Sequence, residues 1–234
     1  MVEGAKGSLS SFWIIVWLAV GLAELNMIYS SLTAEILFII SLLALISAFY
    51  ATLVALGQRQ SNLFVGSATV ANVSLVWGLL NIFPNFPKWG IAFGVAVAFV
   101  LGGISLAFSF VQQRYGWQII GKLPGLGEPM PRFGTAMVFL VSFALFLPFF
   151  PVISGLAIMP IIETQDVKFI KIFFMFLAVW LGGGWFLLQT LHQTAFGRVR
   201  RDVFYTDLRT TEFVAVALLL LGATYSGLFY WRLI

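Results

Sequence analysis

Seven long apolar segments dominate this sequence, and each has the length that a helix needs to cross a lipid bilayer. Such a helix takes about 20 mostly apolar residues, because each residue adds ~1.5 Å across a hydrocarbon core of about 30 Å. The segments lie near residues 12–29, 34–57, 63–83, 89–111, 133–162, 168–191 and 212–231. They are apolar on every side, unlike the alternating ~10-residue strands of a membrane β-barrel. The sequence therefore predicts an all-α, polytopic transmembrane helix bundle that forms a single membrane domain over residues 1–234.

The overall composition supports lipid as the surrounding solvent. Hydrophobic residues make up 61% of the 234 residues and charged residues only 9%, whereas about a quarter of a typical soluble domain is charged. The longest polar stretches, 112–132 and 193–211, are too short for a soluble domain. The expected partners are lipids and other integral membrane subunits. The net charge of +4 comes from short loops between helices, so nucleic acid is not an expected partner.

The basic residues also predict the orientation of the chain. If the seven segments all cross the membrane, nine of the 13 Lys and Arg residues fall on the side of the N-terminus and four on the other side. Cytoplasmic loops carry the excess of positive charge in membrane proteins. We therefore expect a multi-pass protein of a bacterial-type inner (plasma) membrane, with its N-terminus in the cytoplasm and its C-terminus outside.

The fifth segment contains prolines that interrupt a helix, and the sixth contains glycines that lack a side chain. Pro148 and Pro151 lie inside the fifth segment, and proline both lacks an amide hydrogen and clashes with the preceding turn. This segment is expected to be broken or kinked, either beside an ion path or only to shape the packing. In the sixth segment, Gly182, Gly183 and Gly184 are expected to let a neighbouring helix approach closely.

Few residues in the chain can carry chemistry. Without cysteine and with His192 as its one histidine, the chain cannot form a thiolate site, a bis-histidine haem or a multi-histidine metal centre, and no metal or cofactor is expected. Glu24 is the carboxyl group predicted to lie well inside a segment, and His192 ends the sixth segment. An ionisable group inside a bilayer is costly and therefore a functional candidate. Glu24 and His192 are the candidate proton path, with an interfacial hydrogen-bonding role as the alternative for His192.

Several stretches resemble the antiporter-like, proton-pumping membrane subunits of respiratory complex I and of Mrp-type cation antiporters, in particular the NuoM branch. Leu191-His192-Gln193-Thr194-Ala195-Phe196-Gly197 is similar to the family's Leu-His-Arg-x-x-Phe-Gly, and Leu145-Phe146-Leu147-Pro148-Phe149 to its Leu-Gly-Leu-Pro-Gly within a broken helix. Further similar stretches in the same order are 55–62, 68–74, 111–114, 125–133 and 207–212. The resemblance covers nearly the whole chain, which corresponds to the C-terminal half of a pumping subunit.

The positions that match the charged relay of this family are mostly neutral here. Asn62 stands where the resemblance implies a lysine, Asn72 where it implies a histidine, and Leu156 where it implies a glutamate. Neither asparagine nor leucine can pass on a proton, although Asn62 and Asn72 can still form hydrogen bonds between helices, worth about 0.6 kcal/mol each. The resemblance implies that the first segment corresponds to the helix that carries a lysine in the family, which would put Glu24 at the position of that lysine.

The residues and the resemblance together predict a structural or accessory membrane subunit of a multisubunit energy-transducing complex, respiratory or ion-translocating. Catalysis by this chain alone is not expected. The alternative is an active module that moves H⁺ or Na⁺ through Glu24 and His192 together with a partner subunit. The neutral relay positions favour the structural role.

Overall fold

The computed structural model describes residues 34–78, 86–116, 119–146 and 167–229. This part of the chain is all-α and contains six helices, which we number in chain order. They are α1 (Ala34–Gly57), α2 (Ser61–Gly78), α3 (Phe86–Tyr115), α4 (Pro131–Phe146), α5 (Val167–Thr194) and α6 (Thr210–Phe229).

The six helices coincide with the second to seventh apolar segments of the sequence. The bounds of α1 are those predicted, and the other helices begin one to three residues before their predicted segments. Two stretches, Phe38–Gly57 and Gly94–Tyr115, are long and apolar enough to cross a membrane, while Pro131–Phe146 and Thr210–Ser226 are shorter apolar helices. The first segment, near 12–29, lies outside the described residues, as do Glu24, Pro148, Pro151 and Leu156.

Successive helices run in opposite directions, so six helix ends meet on one side of the bundle. The helices α1, α3 and α5 end there, and α2, α4 and α6 begin there. The connecting residues 58–60, 119–130 and 195–209 touch one another, for example through the hydrogen bond from the Ile120 amide to the Arg59 carbonyl at 2.6 Å. We call this side the loop end. The basic stretches 114–132 and 198–209 therefore lie at the same end of the bundle.

The helices pack through small residues and a few large side chains. The helix α1 lies along α2, α3 lies along α6, and α5 contacts α1, α2 and α4. The rings of Phe64 and Phe186 meet edge to face with centroids 5.5 Å apart. A Cβ atom on Gly182 would come within 2.8 Å of Thr52, and one on Gly184 within 3.0 Å of Leu145. The prediction that these glycines allow a close helix approach is confirmed.

Candidate functional site

The loop end is held together by a network around Arg114, in the last turn of α3. Its guanidinium donates to the carbonyl of Thr206 at 2.8 Å and to the carbonyl of Asp207. It also forms a salt bridge with Glu212, in the first turn of α6. Both charged side chains of this pair are more than 80% buried, and charge-assisted bonds are roughly twice as strong as neutral ones. Arg114 therefore fixes the start of α6 against the end of α3.

Asp207 binds the first turn of α4, although it lies 75 residues further along the chain. Its carboxylate accepts hydrogen bonds from the amides of Arg132 at 3.1 Å and Phe133 at 3.3 Å, and from the amide of Leu208 at 2.7 Å. The first amides of a helix have no partner within the helix and carry its positive dipole end. Asp207 therefore acts as an N-terminal cap supplied by a different segment of the chain.

The same segment caps its own helix. Glu212 accepts a hydrogen bond from the amide of Arg209 at 2.8 Å, which is the glutamate half of a capping box at the start of α6. The Tyr115 hydroxyl accepts from the amide of Thr206 at 2.8 Å. Arg132 donates from its guanidinium to the Leu208 carbonyl at 3.2 Å. These contacts join the ends of α3, α4 and α6 into one unit.

The carboxyl end of α5 is closed by the loop before α4. The amides of Leu126 and Gly127 donate to the carbonyls of Thr194 and Ala195 at 2.9 and 3.0 Å. Gly125 has a φ of 74°, and a Cβ atom there would lie 2.7 Å from the carbonyl oxygen of Gly197. Glycine is required at this position both for the left-handed backbone and for the close approach.

A second ion pair at the loop end, between Arg200 and Asp202, is exposed to solvent. The side-chain hydrogen bond from Arg200 lowers the pKa of the Asp202 carboxyl below its usual value. Burial raises the pKa of the nearby Tyr205 hydroxyl. Exposed pairs contribute little to stability, so the Arg200–Asp202 pair should stabilise the loop end less than the more buried Arg114–Glu212 pair does.

A small cavity, which we call the central cavity, lies between α1, α2, α4 and α5, and its lining includes Thr52, five residues before the end of α1. Its volume is about 30 Å³, and its polar lining comes from Thr52, Asn72 and Trp180. Asn72 follows Ser61 by eleven residues on α2, which corresponds to roughly 16 Å along the helix axis. This is about half of a hydrocarbon core of about 30 Å. The indole of Trp180 donates to the carbonyl of Leu145 at 3.1 Å.

The structure separates the predicted site residues that it describes. His192 is exposed in the last turn of α5 at the loop end. Asn62 is exposed in the first turn of α2, ten residues before Asn72, so the two amides do not meet. Asn72 is half-buried and lines the cavity, but its amide nitrogen donates to the carbonyl of Ala68 in its own helix, at 2.8 Å. Within the described part of the chain, Asn72 therefore does not form the expected hydrogen bond to another helix.

Two features of the site had not been predicted from the sequence. The caps made by Asp207 and Glu212 lie in the stretch 207–212, which resembles the family but gave no prediction of a cap. A local signal was available for Glu212, because a glutamate three residues after Arg209, at a turn before an apolar run, is typical of a capping box. No local signal exists for Asp207, because the helix that it caps is distant in the sequence.

Comparisons with known proteins give a structural match. No family model and no curated protein matches the chain. A chain in the structure "Respiratory complex I from Thermus thermophilus with bound NADH" is similar, with a TM-score of 0.68 and 20% sequence identity over 84% of this chain and 41% of that chain. This chain therefore shares the helical fold of a respiratory complex I chain and spans about two fifths of its length.

Proposed function

We propose that this chain is a structural integral membrane subunit of a multisubunit, complex I-like energy-transducing assembly. It would hold neighbouring membrane subunits in place and would not translocate ions by itself. The observation that carries the proposal is the structural match to a respiratory complex I chain over 84% of this chain.

The surface of the helices supports a location within the membrane. Only a third of the apolar stretch Phe38–Gly57 is buried, and large apolar or aromatic side chains such as Tyr50, Trp185 and Leu218 are more than 60% exposed. Water would make such a surface an aggregation hazard. Against lipid tails or the helices of partner subunits, exposure of these side chains carries no free-energy penalty.

The neutral relay positions support a structural role over an ion-conducting one. A proton path needs titratable groups spaced through the membrane, and Asn72 beside the central cavity is not one. The described ionisable groups that are well packed, Arg114 and Glu212, are instead engaged with each other and with backbone carbonyls at the loop end. Their arrangement fixes helix ends, and among the residues that the structure describes no Asp, Glu, His, Lys or Arg lies at the level of Asn72.

Isolation of the chain with its partners tests the proposal. The tagged chain would be extracted in a mild detergent, resolved on a native gel and examined by mass spectrometry. We expect co-purification with further antiporter-like and other membrane subunits of a complex I-like assembly. A chain that migrates alone from every mild detergent, while remaining folded, would contradict the proposal.

A pair of variants tests membrane embedding separately. Leu218 is the ninth of the 20 residues of α6, and it is 61% exposed. Leu218→Arg would place a charge near the middle of the bilayer at a cost of about 3 kcal/mol, so the variant should be lost from the membrane fraction. Phe204, 98% exposed in the loop before α6, offers the control, because Phe204→Arg should leave the amount of membrane-bound chain unchanged. Equal recovery of both variants would refute a lipid-embedded α6.

A further inference from the structure

A groove runs along the first half of α4 at the loop end, and we call it the α4 groove. Its volume is about 460 Å³, which lies in the range of about 300–1,000 Å³ that is usual for ligand pockets. One side is formed by α4 from Pro131 to Phe139, and the rest of the lining comes from the loop before α4 and from residues 195–197 after α5. The α4 groove is therefore separate from the network around Arg114.

Backbone contacts hold the α4 groove in shape. The Gly127 amide donates to the carbonyl of Ala195 at 3.0 Å, and a Cβ atom on Gly134 would lie 2.7 Å from the Cα atom of Gly127. The loop before α4 therefore lies directly against the start of α4 and the end of α5, with no side chain between them. A site whose walls are already fixed loses little conformational entropy when it is occupied.

Along α4, the lining becomes more apolar with distance from the loop end. Glu128 lies in the loop before α4, and Thr135 lies about one turn into the helix. Val138 and Phe139, about another turn further, are exposed apolar side chains. A polar entrance followed by an apolar wall is the complement of an amphiphile that lies along α4 with its polar group at the loop end.

The width of the α4 groove favours an acyl chain over a helix. Phe139 follows Pro131 by eight residues, which corresponds to about 12 Å along the helix axis. A volume of about 460 Å³ divided by this length gives a mean cross-section of about 40 Å². A helix with its side chains is at least ~10 Å across, which is roughly 80 Å² in cross-section, so a whole helix would not enter the groove.

Two charged side chains without a described partner adjoin the α4 groove at the loop end. Within the described part of the chain, the exposed side chains of Glu128 and Arg198 form neither a hydrogen bond nor an ion pair. Both residues adjoin Gly125, because the Glu128 amide donates to its carbonyl at 3.3 Å and a Cβ atom on Gly125 would lie 3.1 Å from the carbonyl carbon of Arg198. A carboxylate binds an ammonium group and arginine binds phosphate, so the two side chains match a headgroup that carries both.

We propose that the α4 groove binds one phospholipid with a phosphoethanolamine headgroup. An acyl chain of the lipid lies against Val138 and Phe139. Its ammonium group donates to the Glu128 carboxylate, and its phosphate accepts from Arg198. Burial of the apolar lining supplies affinity, and the two charges select the headgroup. The inference rests on the membrane location proposed above and does not depend on membership of a complex.

Native mass spectrometry of the full chain, freed of its own lipids in detergent, tests the site. The chain is titrated with phosphatidylethanolamine, phosphatidylcholine and phosphatidylglycerol that carry the same acyl chains. We expect one tightly bound phosphatidylethanolamine per chain. Phosphatidylcholine, whose trimethylated ammonium cannot donate a hydrogen bond, should bind roughly tenfold more weakly, as expected for the loss of one hydrogen bond to a charged group, and phosphatidylglycerol should bind no better. A folded chain that binds none of the lipids, or all three equally, would overturn the proposal.

Matched variants locate the lipid. Val138→Trp should fill the groove and abolish tight binding, whereas Val214→Trp, at an exposed site near the start of α6 and outside the lining, should not. Glu128→Gln should remove the preference for phosphatidylethanolamine over phosphatidylcholine. Asp202→Asn should keep it, because this exposed carboxylate of the loop end lies outside the lining. Unchanged lipid binding in both Val138→Trp and Glu128→Gln would refute the site.

The same measurements distinguish a failure of the lipid site from a failure of the proposed function. A chain that binds phosphatidylethanolamine but migrates without partner subunits would support the α4 groove and contradict the proposed assembly. A membrane-bound chain that co-purifies with its partners but shows no preference among the lipids would refute only the lipid site. If Val138→Trp loses a partner subunit while its lipid binding is unchanged, the groove holds a protein and the lipid assignment is wrong.

Discussion

Replacing Asp207 with alanine should destabilise the bundle by detaching the start of α4 from the loop that precedes α6. The substitution removes the carboxylate that accepts from the amides of Arg132, Phe133 and Leu208. Loss of a helix cap costs about 1–1.5 kcal/mol, and loss of a negative charge at the helix start adds about 0.5 kcal/mol. We therefore expect a loss of roughly 2 kcal/mol in the free energy of unfolding.

Asp202→Ala is the matched control for this prediction. Asp202 lies five residues earlier in the same loop, and its salt bridge with Arg200 is exposed. Removal of a carboxylate there should change the stability of the chain very little. Asp207→Asn should fall between the two, because one amide oxygen can replace only one of the two carboxylate oxygens, and the charge is lost.

Thermal unfolding in a mild detergent gives the stability difference, and hydrogen exchange gives its location. The amides of Arg132 and Phe133 should exchange faster in Asp207→Ala than in the unaltered chain, while those in the middle of α2 should change less. If Asp207→Ala and Asp202→Ala lose the same stability, or if exchange at the start of α4 is unchanged, the capping argument is refuted.

Three further predictions follow from the orientation and from the neutral relay. Cysteine labelling should place the stretches 114–132 and 198–209 in the cytoplasm and Arg232 outside; labelling of the two stretches from opposite faces would contradict the topology. The chain alone in liposomes should neither build nor dissipate a pH gradient beyond that of empty vesicles, and a Na⁺- or H⁺-dependent flux would instead support the active module. Glu24→Gln should preserve assembly and the activity of the whole complex, because glutamine keeps the hydrogen bonds of a structural group; intact assembly with abolished pumping would identify Glu24 as a proton carrier.

The sequence by itself determined where the six described helices lie. The predicted bounds agree with α1 throughout and with the starts of the other five helices to within three residues. The helix positions could be predicted because hydropathy and length, which are both properties of a single segment, decide whether that segment can be a long apolar helix. The close helix approach at Gly182 was also predictable, because glycine has no side chain to hold a neighbouring helix away, whichever helix that is.

Only the tertiary structure decided which polar groups meet. Asp207 reaches the first turn of α4 across 75 residues, and Arg114 reaches Glu212 across 98, and no local pattern encodes such pairings. Likewise, the side chain of Asn72 donates to Ala68 of its own helix, whereas its polarity predicts a contact with another helix. The side-chain amide of an asparagine can donate to a carbonyl of its own helix, so the polarity of the residue does not by itself predict a contact with another helix. The central cavity is lined by four helices, so it could not be predicted from any single segment.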